Sequence, residues 1–191
     1  TPIHHLTGRA EALRTIPGLN PKIVATATYW DAMITEAERL CIEMIRDARQ
    51  ANPDCQALNY VVPQRIEGGR VVLKDGPTGE TVTVASQIVV NATGAWVDIT
   101  NATLGLSTQF MGGTKGSHLV VDCLQLHRAL GDQMVYYQHV DGRVCIVFPF
   151  MDKVLMGSTD IPVDDPDKAV CDAGEIEYML TTLQGMFPGI Q

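Results

Sequence analysis

The chain has 191 residues, 46% of them hydrophobic and 19% charged, which fits one globular domain or two small ones and excludes a disordered or low-complexity segment. Fourteen Lys and Arg against 22 Asp and Glu leave a formal charge of −8, which excludes a broad basic face for nucleic acid but not a local anion pocket. The longest stretch without Asp, Glu, Lys or Arg, residues 81–97, is interrupted by Thr, Ser, Gln and Asn and is no membrane span.

The first clear element is a helix over residues 36–50, whose apolar positions Ala37, Leu40, Cys41, Met44, Ile45 and Ala48 form one stripe expected to be buried. Thr35 with Glu38 reads as a capping box at its start, and Asn52-Pro53 ends it. A strand is expected over 57–62. Residues 70–74 and 80–84 flank the turn cluster Asp75-Gly76-Pro77-Thr78-Gly79 and read as a hairpin. Ile88-Val89-Val90, within 87–91, is the short apolar run of a strand buried on both faces. Further strands are expected over 118–122, 134–139, 143–148 and 154–156, with Asp141-Gly142 as a tight hairpin turn. A last helix begins at Asp172 with Glu175 at its third position, and Ile176, Leu180, Leu183 and Phe187 are its apolar stripe. Two long helices among about eight strands give an α+β class, a largely antiparallel sheet with helices on one side.

Cys41, Cys55, Cys123, Cys145 and Cys171 are odd in number and lack a CxxC pair, so they read as scattered buried thiols in a reducing compartment. His4 and His5 have no second ligand pair at metal spacing, so no metal site is expected. The chain opens at Thr1-Pro2-Ile3 without Met and stops at Ile190-Gln191 just after a helical pattern, as a segment cut from a longer protein would. None of its 17 glycines completes a GxGxxG turn, and no Gly-Lys pair marks a phosphate loop, so the chain alone is not a nucleotide-binding unit.

Four short stretches could carry chemistry. Asn91-Ala92-Thr93-Gly94-Ala95-Trp96 follows the apolar run and is either a plain turn into a helix or a close-approach point for a flat ligand. Gly112-Gly113-Thr114-Lys115-Gly116-Ser117-His118 is either a solvent turn or a ligand loop, with Lys115 for an anion and His118 titrating near neutrality. Arg143 starts the strand that runs to Phe148-Pro149; it is either solvated or a paired donor to a carboxylate or phosphate. Gly157-Ser158-Thr159-Asp160 has the residues of a cap, a turn or a polar contact.

In this order and spacing, NATGAW, KGSH, GRVCIVFPFMD and GSTD resemble the FAD-dependent glycerol-3-phosphate dehydrogenase family, within the flavoproteins folded like D-amino-acid oxidase. Ala95 stands where that family has Pro, and Ser158 where it has Thr. The resemblance implies a middle fragment, with residues 1–34 and 103–191 as a substrate domain and 35–102 as a partial FAD domain. It implies hydride transfer from glycerol 3-phosphate to flavin. His118 would contact or deprotonate the hydroxyl, Lys115 would polarise flavin or substrate, Arg143 would bind phosphate and Thr159 would bond the substrate or the flavin edge. Val62, Thr93, Gly94 and Trp96 would meet FAD. The resemblance further implies a quinone acceptor and a cytoplasmic parent with room for peripheral contact at the inner membrane face. The isolated fragment is expected to be inactive and to lose FAD. Two rivals stand beside this reading: an amine or amino-acid oxidase of the same fold, and a folded module without catalysis.

Overall fold

The computed structural model describes residues 2–157 and 159–190; Ser158, one hydroxyl of the GSTD stretch, lies outside the described residues. In chain order the elements are β1 (His5–Gly8), α1 (Arg9–Thr15), β2 (Ala25–Thr28), α2 (Ala37–Ala51), β3 (Val61–Glu67), β4 (Arg70–Asp75), β5 (Thr81–Val84), α3 (Val97–Thr103), β6 (Thr114–Lys115), β7 (His118–Val121), α4 (Leu124–Leu130), β8 (Val135–Gln138), β9 (Val144–Phe150), β10 (Lys153–Gly157), β11 (Ile161–Pro162) and α5 (Ala173–Met186). The segments Thr1–Trp30 and Gly113–Gln191 form one compact unit, and Asp31–Gly112 forms a second. Residues 103–112 fall with the second unit because Asp98 in α3 holds them: its carboxylate accepts the Phe110 and Met111 N–H groups, each at 2.9 Å, and the Thr108 hydroxyl at 2.6 Å.

The first unit is built on an antiparallel sheet of order β7-β10-β9-β8. Short connections join β8 to β9 and β9 to β10, while β7 returns to β10 across α4, β8 and β9; the turn before β9 is closed by Gly142 at φ +89°. Alternation along the strands splits the sheet into two faces. Cys145, Val147, Val154 and Met156 point to one face and are fully buried with Leu126 and Leu130 of α4, Met179 of α5 and Phe187. Each such side chain contributes roughly 1.5–3 kcal/mol by leaving water. The other face carries His118, Val120, Leu155, Phe148, Ile146 and Tyr136, all exposed or half-buried. Helices therefore cover one side only.

Helix α5 starts at the expected place, in a capping box: Asp172 accepts the Glu175 N–H at 3.0 Å, and Glu175 accepts the Asp172 N–H at 3.0 Å. Half of the expected stripe holds: Phe187 is buried and Leu183 packs on the core, whereas Ile176 and Leu180 are exposed and Glu175, Met179 and Thr182 face inward in their place. Spacings of four and three fit both Ile176-Leu180-Leu183 and Glu175-Met179-Thr182. The polar partners of Glu175, and a 3.3 Å contact between Thr182 and the buried Tyr137 hydroxyl, select the inner one.

The second unit holds the meander β3-β4-β5, with the expected hairpin between β4 and β5. Three expectations fail here. Helix α2 has no buried residue, and no side-chain bond caps it: Glu36, not Thr35, occupies the cap position. The strand expected over 57–62 starts only at Val61, and Tyr60 before it takes φ +59°. Residues 87–91 form no strand, and Ile88, Val89 and Val90 are exposed. A strand buried on both faces needs neighbours on both edges and a layer on each side, and the described residues supply none. All five cysteines are free, and only Cys145 is buried.

Candidate active site

Strands β7 and β10 bring two of the motifs together, pairing His118 with Gly157 and Leu119 with Met156. The His118 ring lies over Gly157, so that a Cβ there would clash with the ring and come within 2.9 Å of Nε2. Glycine is required at 157 for space, since no side chain fits under the imidazole. Gly113 is likewise pressed against the Val163 carbonyl, whose N–H donates to the Gly113 carbonyl at 2.9 Å.

The neighbours of His118 turn the other way, toward α5. Lys115 Nζ donates to Glu175 Oε2 at 2.6 Å and to the Val170 carbonyl at 2.7 Å, with Asp172 at 3.4 Å. The hydroxyls of Ser117 and Thr159 donate to Glu175 Oε1 at 2.8 and 2.7 Å, and Thr159 Oγ1 accepts the Ser117 N–H at 2.8 Å. Glu175 is 2% exposed, and Thr159 is also buried. Lys115 beside it, then the Thr159 hydroxyl, hold the Glu175 carboxyl down to about 2, against the effect of burial. The bond to Glu175 in turn raises Lys115. Both groups are therefore ionised at neutral pH, and Lys115 is no proton acceptor there.

Arg143 lies in a different place. Its guanidinium sits 5.3 Å from the centre of the Tyr178 ring on α5, and its Nε is 3.7 Å from Asp141 Oδ2. Tyr178 donates its hydroxyl to the same Asp141 oxygen at 3.0 Å, and the His139 ring meets Tyr178 edge-on at 5.4 Å. Burial, then the bond to Asp141, push the Tyr178 hydroxyl up to about 12, while the Arg143 N–H is the main cause that lowers Asp141. Arg143 thus braces the helix-covered side of the sheet, and the structure does not bring it to His118. Of the expected quartet, His118 alone faces the open side. Lys115 and Thr159 stand behind it as supports.

In the second unit the NATG turn is pinned from beneath. Asn91 Nδ2 donates to the Val97 carbonyl at 2.9 Å and to Asn101 Oδ1 at 2.7 Å, and the Thr93 hydroxyl donates to Asn91 at 2.8 Å. Gly94 sits at φ +57° with open space where a Cβ would lie, and it leads through a short 3-10 turn into α3. Trp96 and Val62 are about half exposed. This open glycine backbone beside an exposed aromatic ring fits the flat end of FAD. The chain has no GxGxxG turn to fit its pyrophosphate. Among the described residues no three His, Cys, Asp or Glu side chains gather as a metal would need.

Sequence reasoning missed Glu175, Ser117 and Asp98 as organising residues. Glu175 was legible only as part of a cap, because its other partners are distant in the chain, Lys115 and Ser117 by about 60 residues and Thr159 by 16.

A family model described as FAD dependent oxidoreductase matches residues 2–191. A glycerol-3-phosphate dehydrogenase of Synechocystis is 32% identical over 86% of this chain and 32% of its own length. An aerobic glycerol-3-phosphate dehydrogenase of Staphylococcus aureus is 26% identical over 97% of this chain and 34% of its own. The chain thus spans about a third of the length of the curated relatives it matches. The solved glycerol-3-phosphate dehydrogenase of Bacillus halodurans, complexed with FAD, superposes with a TM-score of 0.79 at 28% identity, over 98% of this chain and 38% of that one. An iminodiacetate oxidase of Chelativorans shares the fold alone, at a TM-score of 0.53 and 20% identity over 98% of this chain and 47% of that one.

Proposed function

The chain belongs to the FAD dependent oxidoreductase family, and on that premise we propose that it is the substrate-facing part of a longer enzyme oxidising sn-glycerol 3-phosphate to dihydroxyacetone phosphate. The names of the relatives and of the structural neighbour support the substrate. FAD, when bound, supplies the two-electron hydride acceptor. The residues of this chain supply orientation and a place for the proton. His118 takes the C2 hydroxyl proton as hydride leaves C2, so the substrate gives up one hydride and one proton. Lys115 and Thr159 serve this step by holding the strand that carries His118. Gly94 approaches the cofactor through its backbone, flanked by Thr93, Trp96 and Val62. Arg143 would bind the phosphate, its guanidinium leaving Tyr178 and Asp141 to do so.

The observation that carries this reading is the placement of His118, the one titratable member of its motif on the open face, with Gly157 clearing space for its ring. Quinone is the proposed onward acceptor, reached by a cytoplasmic parent in peripheral contact with the inner membrane face. Among the described residues no helix is long and apolar enough to cross a membrane. In the full-length protein, His118→Ala should lower the rate of flavin reduction by glycerol 3-phosphate about a hundredfold to ten-thousandfold, the range of a lost general base. Flavin bleached by glycine or sarcosine, with no response to glycerol 3-phosphate, would establish the amine-oxidase rival instead.

A further inference from the structure

Glu175 is the one fully buried charged residue among the described residues. Its carboxylate does more than neutralise a lysine. Oε2 takes the Lys115 ammonium and the Asp172 N–H, and Oε1 takes the Ser117 and Thr159 hydroxyls. Apart from the Asp172 N–H, which belongs to the cap of α5 itself, those donors come from the two segments that meet beneath His118. Ser117 directly precedes it, and Thr159 lies two positions beyond Gly157, its partner across the ladder. An ion pair serving stability alone could be replaced by packed apolar groups at little cost. Fixing two strand ends against one helix turn needs an acceptor that reaches all of these donors.

We propose that Glu175 is a positioning residue: it clamps Lys115, Ser117 and Thr159 to the first turn of α5 and so sets the His118 ring over Gly157. The proposal rests on the functional reading above for its consequence in catalysis, but the clamp can be tested without it. On this chain, the ring carbon–proton NMR signals of His118 should move in Glu175→Gln and, less, in Ser117→Ala. Those of His127 on α4, which bonds the Met151 carbonyl, should stay in place. Unmoved His118 signals in folded variants overturn the clamp. Should Glu175→Gln fail to fold, Ser117→Ala decides, since it removes only one of the bonds.

In the full-length enzyme, Glu175→Gln should lower kcat about tenfold while KM for glycerol 3-phosphate stays within about twofold, because the proton acceptor is misplaced and substrate contacts are kept. Unchanged kcat overturns the proposal, as does a loss matched by loss of bound flavin, which marks a merely structural role. A wild-type enzyme indifferent to glycerol 3-phosphate sinks the functional reading, and the His118 signals then decide the clamp by themselves.

Discussion

The two units read alike as sequence and differ as structure. In the first, Val147 and Val154 are wholly buried; in the second, helix α2 buries nothing, and Ile88 and Val90 stand 79% and 82% exposed. Apolar residues are plentiful in both. The difference lies in who supplies the partner. A hairpin strand brings its neighbour with it through a few residues of turn, whereas a strand buried on both faces depends on distant segments for each edge. An apolar pattern is a demand for burial, which the sheet of the first unit meets through its own helices and the second unit, among the described residues, meets fully only at Val72.

The widest gap should appear on truncating a core side chain. Leu126→Ala opens the fully buried face of α4 and should cost the first unit about 2–5 kcal/mol in denaturant unfolding, the range for buried leucines. A loss under 1 kcal/mol would mean that this core is no better closed than α2.

A narrower effect separates the units by pH. Glu175 is held at about 2 in the folded chain against an ordinary 4.5, so the unfolded chain binds its proton first as pH falls. Its contribution is therefore complete above about 4.5 and drains away as pH drops toward 2. The first unit should lose stability across that window, and Glu175→Gln should flatten the slope. A slope unchanged by the substitution would show that the carboxylate is not held by Lys115 and its neighbours in solution.

How much of this was legible beforehand follows the same division. The pairs β4–β5 and β8–β9 could be read because turn chemistry, Asp75 through Gly79 and Asp141-Gly142, is local. The start of α5 was legible for the same reason. Residues 87–91 were misread because a buried-strand pattern says nothing about where its partners are, and residues 57–60 because apolar composition does not reveal the turn that Tyr60 makes at φ +59°. The motif residues illustrate a subtler limit. Lys115, His118 and Thr159 could be picked out by type and order, but the register of β7 on β10 is what sets His118 on the open side, and the distant Glu175 carboxylate is what draws Lys115 and Thr159 away from it. Arg143 was assigned to an anion by its place in a motif, while Asp141 and Tyr178, which hold it, were not part of the reading.

The smallest expected effect is the most discriminating. Leu40 belongs to the α2 stripe and is 43% exposed, and Leu and Ala have similar helix propensity. Leu40→Ala should therefore change unfolding free energy by no more than about 0.5 kcal/mol, as at an ordinary surface position. The same substitution would cost several times more if the stripe were covered in solution, and a second copy of the chain is the available cover. Protein concentration separates the cases. A cost that grows with concentration reports association through the stripe, since partner binding stabilises the folded state by mass action. A cost that is large and independent of concentration would place α2 inside a core of its own, and the contrast between the two units would be gone.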